Sequence, residues 1–152
     1  MGNPSKKRVL IVCTGNACRS QMAEALWRHE AGDLYEVFSA GTHPAGVHRL
    51  AQMVIEELGI KTVGHYSKSV YEMTGQTFDL VITVCDDARE ICPVFHGGTR
   101  TLHWPFEDPV MSQGSIEERL PKFRLARDLI HQRIREFLKE EATADPMPAS
   151  SS

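Results

Sequence analysis

The stretch RVLIVCTGNACRSQMAEAL, residues 8–26, changes its pattern twice within a short span. Residues 8–13 form a continuous apolar run with branched side chains, which reads as a buried strand. A Thr-Gly-Asn turn follows, and from Gln21 to Ala31 the chain is rich in good helix formers before it stops at Gly32. A thiol, Cys13, therefore stands at the end of a strand, and an arginine, Arg19, stands where a helix begins. The rest of the chain repeats this pattern. YEVFSAG (35–41), DLVITVC (79–85) and RTLHW (100–104) read as further strands. In VHRLAQMVIEELG, Val47, Leu50, Ala51, Val54, Ile55 and Leu58 form the stripe of an amphipathic helix closed by Gly59. A C-terminal helix turns Phe123, Ala126, Ile130, Ile134 and Phe137 inward. Pro121 fits its first turn best; a start at the Ser115–Glu118 capping box would leave the proline inside the helix. Alternating strands and helices predict an α/β fold: an open, mostly parallel four-stranded sheet flanked by helices, Rossmann-like. Chemistry in such sheets gathers where strands end, and Cys13 and Cys85 share that address.

Composition narrows the function classes. The chain has 152 residues and 17.0 kDa, one domain's worth, with 41% hydrophobic and 24% charged residues. A net charge of −3 gives no electrostatic case for nucleic acid or an anionic membrane. VLIVC is far too short to span a bilayer, and MGNPSKKRVLIVC lacks the long apolar region and cleavage site of a secretory signal. Lysine at position 6, with serine at 5, misses a myristoylation motif by one place. The expectation is a cytoplasmic protein acting as a monomer. Its four cysteines then read as thiols rather than as a disulfide framework. The C-x4-C and C-x6-C spacings do not match zinc knuckles, and the seven histidines show no ligand spacing, so they read as surface or structural.

Cys13-Thr-Gly-Asn-Ala-Cys-Arg19 has the form C-x5-R, a spacing that is cheap alone and informative in its setting. A loop between a strand and a helix can turn successive backbone N–H groups onto one point beside the positive end of the helix. Such a nest, built from Thr14, Gly15, Asn16, Ala17, Cys18, Arg19 and Ser20, suits a tetrahedral oxyanion, with Arg19 as a bidentate clamp. The same field favours a thiolate at Cys13, and Ser20 can donate to that sulfur. Cys18 reads as a packing residue of the loop. The loop is not a Walker A motif. A leaving oxygen needs a proton, and Asp108 in WPFEDPV can supply one from a loop beyond the fourth strand. The plain alternatives are a buried strand cysteine, a solvated arginine and an Asp-Pro turn.

With these residues in view the chain resembles the low-molecular-weight protein tyrosine phosphatase superfamily, and more closely its thioredoxin-coupled arsenate reductases. The resemblance rests on CTGNACRSQMAEA at the cradle, SAGT at 39–42, FDLVITVCDDAREICP at 78–93 and HWPFEDP at 103–109. It implies a single phosphatase-like arsenate reductase domain over residues 1–142, followed by a flexible tail over 143–152. It also implies Cys13 as nucleophile, Arg19 as clamp and Asp108 as acid, with no bound cofactor and thioredoxin as the external reductant. Phosphatases of this fold usually carry an aromatic after the Asp-Pro, where this chain has Val110.

The resemblance further implies a relay in which Cys13 attacks arsenate, Cys85 resolves Cys13, and Cys92 resolves Cys85. If 85–92 were a helix, its two end α-carbons would lie about 10.5 Å apart. A disulfide tolerates about 4.4–6.8 Å. The segment is therefore expected to be helical when reduced and looped out when oxidised. Some relatives hold potassium beneath the cradle through an Asn, a Glu, a Ser and an Asp. Asn16, Glu24 and Ser39 match, but Lys68 in HYSKSV takes the acidic place, which argues against a metal there. Two other functions remain open at this point. One is a phosphomonoesterase that leaves Cys85 and Cys92 idle. The other is a non-catalytic oxyanion-binding module.

Overall fold

A computed structural model of the chain describes residues 6–85 and 99–144. Its elements run β1 (Lys7–Cys13), α1 (Arg19–Ala31), β2 (Tyr35–Gly41), α2 (Arg49–Glu56), a 3₁₀ turn (Val70–Met73), β3 (Leu80–Thr83), β4 (Arg100–His103), a second 3₁₀ turn (Pro109–Met111) and α3 (Ile116–Ala144). Among the described residues the four strands form one sheet in the order β2-β1-β3-β4, and every pairing is parallel. Val9 pairs with Val37 on one side and Leu80 on the other, and Cys13 lies opposite Gly41. The inner strands carry the unbroken apolar runs, with the last five residues of β1 and all four of β3 buried. β4, on an edge, is exposed or half-buried throughout.

α1 and α3 pack together, joined by an aromatic cluster. Trp27 is fully buried and stacks on Trp104 at 6.1 Å between ring centres, with Tyr35 and Phe137 at 5.3 and 5.6 Å. The inward stripe of α3, Phe123, Ala126, Ile130, Ile134 and Phe137, is buried as its spacing predicts. Each large side chain in that stripe contributes on the order of 1.5–3 kcal/mol by leaving water.

Three expectations need correction. α3 starts at the Ser115–Glu118 capping box, so Pro121 lies inside the helix. The Ser115 hydroxyl accepts from the Glu118 N–H at 3.2 Å, and the Glu118 carboxylate accepts from the Ser115 N–H at 2.8 Å. The added turn also brings Arg119 to the Val110 carbonyl at 3.3 Å. Together these bonds outweigh the single ladder bond that the proline forfeits. α2 is shorter than its apolar stripe, because Val47 precedes it and Leu58 beyond it is 40% exposed. Gly59 then ends the segment in the left-handed region, at φ +79°. β3 ends at Thr83, so Cys85 lies two residues past the strand. The chain stays fastened there, since Val84 N–H donates to the Val12 carbonyl at 2.9 Å.

Candidate active site

From β1 the chain crosses to β2 on one side, and later returns to β3 on the other, so a crevice opens between the carboxyl ends of β1 and β3. Cys13 and the residues after it line this crevice. Their carbonyls are bound from outside by a strap, residues 42–48. Thr42, His43, Ala45 and His48 donate their N–H groups to the carbonyls of Cys13, Thr14, Gly15 and Ala17, at 3.2, 2.8, 2.9 and 2.8 Å. In a trans peptide the N–H points opposite to the carbonyl, and the described residues contain no cis bond. The N–H groups of Thr14, Gly15, Asn16 and Cys18 are thereby turned to the inner side of the loop. Asn16 shows the outcome, since its N–H donates to Cys13 Sγ at 3.2 Å. α1 begins at Arg19 with no side-chain cap, which leaves its first N–H groups on the same side.

Asn16 is the hub of the loop. It is fully buried and is the described non-glycine residue with positive φ, at 47°. Its Nδ2 donates to Ser20 Oγ at 2.8 Å and to Ser39 Oγ at 3.0 Å, and its Oδ1 accepts from the Lys68 and Gln21 nitrogens at 2.8 and 3.1 Å. Because Ser20 accepts from Asn16, its own proton is free for Cys13 Sγ, 2.9 Å away. The buried sulfur thus receives two donors, from the Asn16 N–H and the Ser20 hydroxyl. Gly41 makes room for all this, because a Cβ there would lie 2.6 Å from the Thr14 carbonyl oxygen and 2.8 Å from the Asn16 nitrogen.

Arg19 and Asp108 meet across the crevice. One Arg19 nitrogen donates to the Phe106 carbonyl at 2.8 Å, and another lies 3.3 Å from Asp108 Oδ2. The other Asp108 oxygen accepts from the Val110 N–H at 3.0 Å, so the carboxylate is fixed at the head of its turn. Cys85 is buried, and its Sγ is 3.2 Å from Thr14 Oγ1, which ties it to the residue next to Cys13. Cys13, Cys18 and Cys85 are free thiols. Burial, reinforced by Asp108 and Cys13, pushes the Cys18 thiol far above its usual range against the pull of Arg19, so it is a neutral packing group. Cys92 and the segment 86–92 lie outside the described residues.

Asn16, Ser39, Glu24 and Lys68 also come together. Ser39 donates to Glu24, whose other oxygen takes Arg28 at 2.7 Å, while Lys68 Nζ stands 3.9 Å from Glu24 Oε1. Burial lowers the Lys68 pKa, and Glu24 works against that shift.

A sequence model for the low molecular weight phosphotyrosine protein phosphatases matches residues 8–145. The chain belongs to this family. Within and around the family, an arsenate reductase from Halalkalibacterium halodurans is 38% identical over 133 residues, which cover 88% of this chain and 96% of that relative. A thioredoxin-dependent arsenate reductase from Corynebacterium glutamicum superposes with a TM-score of 0.68 at 32% identity, covering 91% of this chain and 63% of that one. A low-molecular-weight tyrosine phosphatase from T. tengcongensis superposes with a TM-score of 0.74 at 24% identity, over 89% and 99% of the two chains, and shares the fold. No described helix of this family member is long and apolar enough to cross a membrane.

The strap, the Thr14–Cys85 contact and the Gln21 bond to Asn16 escaped sequence reasoning. SAGT, residues 39–42, was the one visible marker of the strap. Replacing Gly41 with alanine is expected to push the loop off its anchors, with a destabilisation of about 1–3 kcal/mol by urea unfolding. Phosphate should then no longer shield Cys13 from iodoacetamide, whereas retained shielding would contradict the close approach.

Proposed function

We propose that this family member reduces arsenate to arsenite through a relay of three thiols, with thioredoxin as the final reductant. The observation that carries this reading is the second thiol beside the cradle: Cys85, tied to Thr14 at 3.2 Å. A phosphatase needs one thiol, because water completes its cycle. Arsenate reduction consumes two electrons, and two thiols supply them by becoming a disulfide. The neighbouring arsenate reductases, one of them thioredoxin-dependent by name, support the same reading.

The inward N–H groups and Arg19 hold arsenate, and Cys13 attacks arsenic to form an S–As bond while an arsenic oxygen departs as water. Asp108, whose carboxyl group is bound by the Val110 N–H and Arg19, is the residue assigned here to supply that proton, in its protonated form. Cys85 then attacks Cys13 Sγ. The S–As electron pair passes to arsenic, arsenite leaves, and a Cys13–Cys85 disulfide remains. Thr14 Oγ1 supports the Cys85 sulfur during this attack. Cys92 next attacks Cys85, returning Cys13 as a thiolate and leaving a Cys85–Cys92 bridge for thioredoxin to reduce. Beneath the cradle the Lys68 ammonium, beside Glu24, would take the place of the potassium that the family resemblance implies, while the Lys68 backbone N–H holds Asn16 Oδ1.

Cysteine 92 separates this reading from a phosphatase. With thioredoxin, its reductase and NADPH, the Cys92→Ser variant is expected to release about one arsenite per chain and then stop. Continued turnover, or indifference of an aryl phosphatase activity that exceeds arsenate reduction, would overturn the relay. Turnover of the wild type is expected to be equal in sodium and potassium buffers. A large gain in potassium would show that Lys68 does not fill the cation position.

A further inference from the structure

His48 joins the strap to a helix. Its N–H holds the Ala17 carbonyl at 2.8 Å, and its own carbonyl accepts the Gln52 N–H at 3.1 Å in the first turn of α2. Its ring caps the same helix, because Nδ1 accepts from the Leu50 N–H at 3.1 Å. The ring also lies against Phe123 of α3, 5.0 Å between centres. An N-cap side chain must be an acceptor, and the usual ones, Ser, Thr, Asn and Asp, stay acceptors at neutral pH. Imidazole is an acceptor only while neutral, here with its proton on Nε2.

We infer that His48 is a positioning residue for the oxyanion cradle that works only as the neutral Nε2–H imidazole, so that acid loosens the cradle by uncapping α2. Protonation would aim a second N–H at the Leu50 N–H and place a positive charge at the positive end of the helix. The backbone of His48 would then lose its fixed entry angle, and with it the bond that orients the Ala17 carbonyl and the Cys18 N–H. Two charged groups act on the ring, Arg119 of α3 and Asp108 of the turn after β4. Burial first, then Arg119, lowers the imidazole below its ordinary value, with Asp108 opposing. The folded pKa is thus depressed below the unfolded value of about 6.5. The cap's contribution is complete above that pH and is lost as pH falls from there through the folded value.

The inference concerns anion binding alone, so its failure is distinguishable from failure of the arsenate relay. Sulfate, a dianion throughout the range, is the probe, titrated by calorimetry at pH 7.5 and 5.0 at constant ionic strength. Wild type is expected to bind sulfate about fivefold more weakly at the lower pH, relative to His48→Asn, whose cap does not titrate in this range. Groups common to both proteins cancel in that ratio. Equal pH dependence in the two proteins, or tighter relative binding by wild type in acid, would overturn the inference. Nitrogen-15 histidine spectra of the wild type give a second reading that needs no variant. They should show a proton on Nε2 and a bare Nδ1 at pH 7.5, with a midpoint below 6.5; an Nδ1–H tautomer would also overturn it.

Discussion

Four backbone hydrogen bonds from the 42–48 strap to the carbonyls of Cys13, Thr14, Gly15 and Ala17 fix everything else at this site. N–H groups aimed into a loop are not held there by secondary structure, so a nest must be held open from behind. Anchoring the carbonyls outside does this, because the rigidity of each peptide transmits the orientation to the N–H on its other side. The left-handed turn at Asn16 persists for the same reason. Six bonds converge on that residue's side chain and carbonyl from Ser20, Ser39, Gln21, Ser67 and Lys68, which over-determines a backbone conformation that asparagine tolerates.

Preorganisation of this kind matters because the groups to which the proposed reaction assigns roles come from separate elements. Cys13 ends β1, Arg19 opens α1, Asp108 heads a turn beyond β4, and Cys85 follows β3. The parallel sheet brings all of these carboxyl-end positions to one edge, and Arg19 joins the two halves by reaching Phe106 and Asp108. The planar guanidinium has five donors, so it can hold the Phe106–Asp108 loop along one edge and present another to an oxyanion. Lysine, a point donor on a flexible stem, would do one of these at a time.

Much of the frame was legible in the chain itself. β1 occupies the residues that its apolar run suggests, because an inner parallel strand has no polar face to blur its limits, and β2, on an edge, covers the predicted 35–41. The α3 stripe was legible for the same physical reason, a regular period facing one core. The start of α3 was not, since Pro121 pointed to a later first turn while the Ser115–Glu118 box and Arg119 fastened an earlier one. C-x5-R and the run DLVITVC brought Cys13, Arg19 and Cys85 to one region of the sheet, though Cys85 lies two residues past the end of β3. The strap was hidden, because its bonds are made by main-chain groups that leave no mark on side-chain identity, apart from Gly41, which has no space for a Cβ. In the sequence His48 looks no different from a surface or structural histidine, because a capping role depends on where a helix begins, and the apolar stripe of α2 extends past both of its ends.

The central claim is that oxidation is carried away from Cys13 along a chain of thiols, and disulfide mapping tests it most directly. Reduced wild-type protein is exposed to arsenate with no external reductant, trapped with an alkylating agent, digested and mapped by mass spectrometry. The account predicts one arsenite released per chain and a bridge joining Cys85 to Cys92, with Cys13 alkylated as a free thiol. Arsenite formed without any bridge at Cys85, or no arsenite at all, would contradict it.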